Sequence, residues 1–122
     1  MLENLVGSRF ISLCTFKNNG DKIDTPVIFG ITNNEIIVST KSFTGKLKRI
    51  RNNPNVIIYP CNGRGERKGD DFKGIAKILP KEDEKYAYDA IRNKNGLIFR
   101  IWRASGKLRS HKFVFISIQP TS

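Results

Sequence analysis

The 122-residue sequence has few of the residues that build disulfide frameworks, zinc sites or hydrolytic active sites. It contains two cysteines, Cys14 and Cys61, which lie far apart, and a single histidine, His111. This pattern excludes a disulfide-rich scaffold and the ligand spacing of a zinc site, and His111 has no serine or cysteine partner near it in sequence. Because such sparse cysteine is typical of a reducing compartment, we expect a cytoplasmic protein.

Long apolar runs are also missing. No segment approaches the length of a membrane span, and the first residues lack the basic head and apolar stretch of an export signal. We therefore expect neither membrane insertion nor export. Apolar residues make up 39% of the chain and charged residues 27%, which is ordinary for a globular protein. At this length we expect one domain, residues 1–122, with one modest core.

Acidic residues are few relative to basic ones. Eleven Asp and Glu stand against twenty-two Lys and Arg, and the net charge is +11. This excess predicts an anionic partner, which could be a phosphorylated cofactor, nucleic acid or an acidic membrane surface. Nucleic acid has only the charge in its favour, because the sequence contains no aromatic-rich RNA-binding motif and no recognition helix. A non-catalytic basic barrel that carries a cofactor or binds nucleic acid stays an alternative to an enzyme.

Runs of β-branched and aromatic residues, separated by turn formers, predict six strands. The first three follow one another at hairpin distance, which is typical of an antiparallel meander in a sheet or barrel. Pro26 interrupts the second run, and since proline has no N–H to donate, it predicts a strand edge or a bulge. The predicted strands cover residues 9–16, 22–30, 35–40, 56–59, 72–79 and 113–118.

Two segments change to a helical period. Leu47 and Ile50 stand three residues apart among basic residues, which predicts a short helix from Thr44 to Asn52 with Ser42 or Thr44 as its cap. Three consecutive acids at positions 82–84 predict the start of a second helix, and Gly96 is its predicted C-terminal cap. Residues 97–103 could add one or two further helical turns.

The start of the first predicted helix has an unusual charge. Lys46, Lys48 and Arg49 crowd its first turns, where the helix dipole disfavours cations. An anion would relieve this conflict, and the hydroxyls of Ser39 and Thr40 precede the helix. Together with the Lys46 ammonium they could form a phosphate cradle. A solvated basic face with a Ser/Thr cap is the alternative, and the residue pattern leaves both open.

Several linked segments resemble the pyridoxamine 5′-phosphate oxidase-like split β-barrel family. These are Thr25-Pro26-Val27-Ile28-Phe29, the strand ending in Ser39-Thr40, the segment from Gly45 to Pro54, and Pro60-Cys61-Asn62. The resemblance runs over residues 9–79 and is greatest to short members described as FMN-binding or deazaflavin (coenzyme F-420)-dependent oxidoreductases. It implies a mainly β fold, a six-stranded antiparallel split β-barrel of the FMN-binding type with two or three short helices.

The resemblance also implies a homodimer that holds FMN or the deazaflavin coenzyme F-420 at the subunit interface and exchanges hydride with a small organic substrate. Lys46 is expected to contact the cofactor phosphate, with help from hydroxyls at Ser39 and Thr40. The segment from Thr25 through Pro26, Val27 and Ile28 is expected to follow the tricyclic ring. The remaining residues that the resemblance implies are Arg49 and Arg51 near the phosphate or polar tail, and Pro60 and Cys61 near the ring.

Overall fold

The computed structural model describes residues 2–5, 7–41, 45–104 and 113–121, with the backbone alone at residues 3, 4, 41 and 95–104. Its six strands are β1 (Phe10–Phe16), β2 (Lys22–Thr32), β3 (Glu35–Lys41), β4 (Asn55–Cys61), β5 (Phe72–Ile78) and β6 (Phe113–Pro120). The two α-helices are α1 (Gly45–Asn52) and α2 (Glu84–Ala104), and short 3-10 helices cover Leu2–Leu5 and Lys81–Asp83.

All six strands join in one closed antiparallel barrel with the order β1-β2-β3-β6-β5-β4. The first three strands form the predicted meander, and β6 pairs between β3 and β5. This confirms the predicted fold class of a mainly β, six-stranded antiparallel barrel. The strand predictions are confirmed, with β2, β3, β4 and β6 extending one to three residues beyond the predicted ends.

The core fills the barrel because alternate strand residues point inward. On β1, Ile11 and Leu13 are fully buried in this core, and Leu5 of the first 3-10 helix joins them. The complete cluster is Leu5, Ile11, Leu13, Phe29, Ile36, Val38, Leu47, Ile50, Val56, Ile58, Ala76, Ile116 and Ile118.

Helix α1 packs against one end of the barrel. Leu47 and Ile50, the two apolar residues that predicted it, are both buried in the barrel core. Lys48 and Arg51 lie on its exposed side. The helix prediction is therefore confirmed from Gly45 to Asn52, while Ser42 and Thr44, the two predicted caps, lie outside the described residues.

Helix α2 packs on the outside of the barrel, over β2 and β3. Ile28 and Ile37 of these strands form a second apolar cluster with Ala87, Ala90 and Ile91 of the helix. Gly30 permits this close packing, since a Cβ at Gly30 would lie 2.3 Å from the carbonyl oxygen of Ala90. Within the described part of the chain, neither helix has the length and apolar character to cross a membrane.

The predicted end of α2 at Gly96 is wrong. The helix runs for 21 residues to Ala104, so one long helix replaces the short helix and the separate turn that the sequence predicted. A glycine C-cap needs a positive φ, and the described glycines with positive φ are Gly20 and Gly65. A glycine inside a helix costs only about 1 kcal/mol relative to alanine, which tertiary packing readily offsets.

Candidate functional site

The barrel wall has an opening between β2 and β3. The ladder between these strands runs from Thr32 opposite Glu35 to Phe29 opposite Val38 and then stops. Among the described residues, 22–28 of β2 pair only with β1, and 39–41 of β3 pair only with β6. Continuing the same register would place residues 28 and 27 opposite residues 39 and 40. The two strands thus diverge where the sequence predicted cofactor-binding residues.

Six of those predicted residues line the two sides of the opening. They are Thr25, Pro26, Val27 and Ile28 on β2, and Ser39 and Thr40 on β3. Pro26 is exposed and pairs with Ser12 of β1 on its other side. Its missing N–H costs no ladder bond toward β3, because the β2–β3 ladder has already ended. The predicted edge position of Pro26 is therefore confirmed.

Lys46 and Arg49 form a pair of cations on α1. They are half-buried and one helical turn apart. Burial lowers the pKa of Lys46 from its ordinary value, and the positive charge of Arg49 lowers it further. Within the described part of the chain, no carboxylate forms an ion pair with either residue. Two neighbouring cations that lack an acidic partner favour the binding of an anion.

A hydrogen bond ties this cation pair to the barrel. Arg49 Nε donates to Thr15 Oγ1 at 2.6 Å, and Thr15 is fully buried near the end of β1. Thr15 pairs with Ile23 and Leu13 pairs with Thr25, so Thr15 and Thr25 are diagonal neighbours on the inward side of adjacent strands. Such neighbours lie about 7–8 Å apart. The Arg49 side chain is therefore fixed beside the β2 side of the opening.

Thr15 is the residue that sequence reasoning missed. It continues the inward-facing series that begins with Ile11 and Leu13, so an apolar residue would be expected at its position. A hydroxyl at an inward position of an apolar strand was the only signal in the sequence, and it does not name a partner. The partner comes from α1, which lies 34 residues further along the chain.

Three other predicted site residues lie elsewhere. Arg51 is exposed, and two residues of helix rotate it about 200° around α1 from Arg49. Cys61 pairs with Phe10, five residues before Thr15 on β1, which corresponds to about 17 Å along the strand. Pro60 and Cys61 are buried in β4 and line a separate cavity of about 630 Å³. The structure therefore does not group Arg51, Pro60 or Cys61 with Lys46.

Comparison with protein-family models gave no match, and comparison with curated proteins gave none either. Solved structures do match. The heme storage protein HutZ from Vibrio cholerae is 16% identical, with a TM-score of 0.71 over 99% of this chain and 88% of that one. A candidate pyridoxamine 5′-phosphate oxidase from Listeria innocua is 18% identical, with a TM-score of 0.65 over 99% and 90% of the two chains.

An F420 reductase is 14% identical, with a TM-score of 0.64 over 98% of this chain and 93% of that one. These similarities cover nearly the whole chain and include both of its described helices. Identities this low show the fold and nothing finer. Together with the strand order of the barrel, they show that the chain has the split-barrel fold of the pyridoxamine 5′-phosphate oxidase-like proteins.

Proposed function

We propose that this protein binds FMN or the deazaflavin coenzyme F-420 at the opening between β2 and β3, and that it is an oxidoreductase acting on a small organic substrate. The observation that carries the proposal is the position of the Lys46 and Arg49 pair beside this opening. A phosphate has the charge that the pair lacks, and the opening offers two strand edges for the rest of the cofactor.

The residues at the opening fit such a group. Lys46 would hold the phosphate as a point charge, and Arg49, fixed by Thr15, would offer its remaining guanidinium N–H groups. Hydroxyls of Ser39 and Thr40 lie on the facing edge of the opening. The Pro26 to Ile28 edge of β2 makes no ladder to β3, so a flat ring could lie along it.

The protein's own part in the reaction would be binding and orientation. A flavin or deazaflavin, when bound, supplies the hydride chemistry. Lys46 and Arg49 would neutralise the phosphate and hold it at one end of the opening. The strand edges of β2 and β3 would then orient the rest of the cofactor, and the substrate class follows from what can approach an exposed edge such as Pro26.

The proposal includes a homodimer with the cofactor between subunits. The opening lies on the side of the barrel, and Pro26 on its rim is exposed in the single chain. A second copy over this face would exclude water from the bound cofactor, which strengthens electrostatic contacts. Light scattering with and without cofactor measures the mass directly, and a monomer under both conditions would remove the dimer from the proposal.

An absorbance-monitored titration tests the central claim. Purified protein is titrated with FMN and, in parallel, with coenzyme F-420 at moderate salt. Saturable binding of one cofactor at one site per chain is expected, and binding of neither would overturn the proposal. Riboflavin, which lacks the phosphate, is the matched control ligand, and it should bind much more weakly because Lys46 and Arg49 have no charge to contact.

A non-catalytic cofactor carrier is a second candidate. The structural similarity to HutZ, a heme storage protein, favours it, because that similarity covers 99% of this chain. The two candidates differ in what happens to reduced cofactor under anaerobic conditions. An oxidoreductase should accelerate its oxidation by one of a panel of small organic acceptors, whereas a carrier should leave the rate equal to that of the free cofactor for every acceptor.

A further inference from the structure

A cavity of about 630 Å³ lies at the end of the barrel opposite α1. It is formed where the segment that precedes β1 meets the end of β4 and the following loop. Its volume is within the range of about 300–1,000 Å³ that small-molecule sites occupy. The lining residues that matter here are Ser8, Arg9, Phe10, Pro60, Cys61 and Lys68.

The cavity is positively charged. Arg9 and Lys68 line it, and none of its lining residues is acidic. Lys94 of α2 adds a third cation, since its Nζ donates a hydrogen bond to the backbone oxygen of Ser8 at 2.6 Å. Burial lowers the pKa of Lys94, and the charge of Arg9 lowers it further, which places these two cations near each other. This cavity therefore combines neighbouring cations with apolar walls from Phe10 and Pro60.

The nearby acids do not neutralise these cations. Glu66 accepts a hydrogen bond from Asn62 Nδ2 at 2.9 Å and pairs with Arg64 at 3.3 Å. Asp71 pairs with Arg67 at 3.5 Å. Among the described residues, Arg9, Lys68 and Lys94 form no ion pair with a carboxylate. The local charge is thus left for a ligand or for solvent ions.

Hydrogen bonds hold the walls of the cavity in place. Ser8 Oγ donates to the carbonyl oxygen of Phe10 at 2.7 Å, which fixes the segment before β1. In the loop after β4, Asn62 Oδ1 accepts from the backbone N–H groups of Arg64 and Glu66 at 2.9 and 3.0 Å. The Lys68 N–H donates to the Pro60 carbonyl at 2.8 Å. The cavity is formed before any ligand binds.

We propose that this cavity is a second binding site, separate from the opening between β2 and β3, and that it takes a small organic anion with a flat apolar group. Arg9 and Lys68 contact the anionic group, Lys94 adds charge at the Ser8 wall, and Phe10 and Pro60 contact the apolar group. The proposal does not rest on the proposed cofactor, because none of these residues lines the opening.

Phenyl phosphate is the probe that tests this site, with benzyl alcohol and inorganic phosphate as matched ligands that each lack one feature. Binding is followed by amide chemical shifts of the full chain. We expect saturable shifts at Gly7, Phe10, Cys61 and Gly63, and much weaker ones with either matched ligand. The absence of saturable binding, or shifts confined to α1 and residues 25–28, would overturn the proposal.

Charge variants separate this site from the other cation pair. The exposed pair Arg9→Gln with Lys68→Gln should weaken phenyl phosphate binding by about tenfold or more, as expected for lost charge-assisted contacts. Lys48→Gln with Arg51→Gln removes the same charge from exposed positions on α1 and should change affinity less than about twofold. Equal losses in the two double variants would show a non-specific charge effect and overturn the proposal.

Lys46→Ala connects the test to the proposed cofactor site. This variant should leave phenyl phosphate binding at Arg9 and Lys68 unchanged, whether or not it impairs binding of FMN. Loss of phenyl phosphate binding in Lys46→Ala would assign the probe to the opening and contradict a second site. If FMN fails to bind but phenyl phosphate binds as expected, the proposed cofactor site fails and the second site stands.

Discussion

The side chain of Arg49 donates a hydrogen bond from Nε to Thr15 Oγ1 at 2.6 Å, and this bond joins helix α1 to strand β1. Because a guanidinium has several N–H groups in one plane, fixing Nε also fixes the direction of the others. The terminal N–H groups of Arg49 are thus oriented beside the opening, next to Lys46. The relationship links the barrel core to the anion-binding capacity of α1.

Thr15→Val should lower the free energy of unfolding by about 1–2 kcal/mol, because it removes a buried acceptor from a charged donor while preserving the side-chain shape. FMN affinity should fall as well, since Arg49 loses its orientation. Urea unfolding and the FMN titration measure the two effects. Arg51→Ala is the control, because Arg51 is exposed and makes no described contact, and it should change stability by less than about 0.5 kcal/mol. Unchanged stability in Thr15→Val would contradict the role of this bond.

Lys46→Ala should weaken FMN binding about tenfold to a hundredfold, which corresponds to the loss of a charge-assisted contact of about 1.5–3 kcal/mol. Lys48→Ala is the matched control: it makes the same charge change on the same helix, but at an exposed position. It should change affinity only slightly. The absorbance titration at moderate salt measures both variants, and equal behaviour of the two would remove Lys46 from the site.

The lowered pKa of Lys46 gives opposite pH dependences to binding and to stability. Between this lowered pKa and the ordinary value of 10.5, the unfolded chain holds more protons than the folded one, so the contribution of Lys46 to stability rises with pH. Anion binding instead weakens as Lys46 loses its proton. FMN affinity should therefore decline with rising pH at a lower pH than an ordinary lysine would give.

The variant Lys46→Arg provides the comparison for this pH effect, because arginine keeps its charge throughout. Its FMN affinity should stay nearly constant over the range in which the wild type declines. Titrations at a series of pH values from about 7 to about 10 measure both proteins. Parallel pH profiles for wild type and Lys46→Arg would show that another group is responsible.

Gly30→Ala should destabilise the protein by about 3 kcal/mol or more, since the new Cβ would lie 2.3 Å from the Ala90 carbonyl oxygen and would displace α2 from β2. Gly7→Ala is the control, because a Cβ at Gly7 would have no atom within 4 Å. Urea unfolding monitored by circular dichroism compares the two variants. A stable Gly30→Ala variant with native spectra would show that α2 does not pack as closely as described.

Much of the fold could be predicted because the relevant patterns are local. Alternation of apolar residues along β1 and the spacing of Leu47 and Ile50 follow from strand and helix geometry, which any short segment obeys. Gly96 shows the limit of this approach. The same residue type can end a helix or lie inside one, and the packing of α2 on the barrel, which involves β2 and β3, determines the outcome.

The sequence by itself determined the strand and helix periods, the excess of positive charge and the group of cations on α1, because each depends on residues near one another in the chain. Only the tertiary structure decided where the β2–β3 ladder stops, that Arg49 bonds to Thr15, and that Cys61 lies at the other end of β1. These features depend on strand register and on contacts between distant segments. Register is a property of two strands together, so neither strand's sequence specifies it alone.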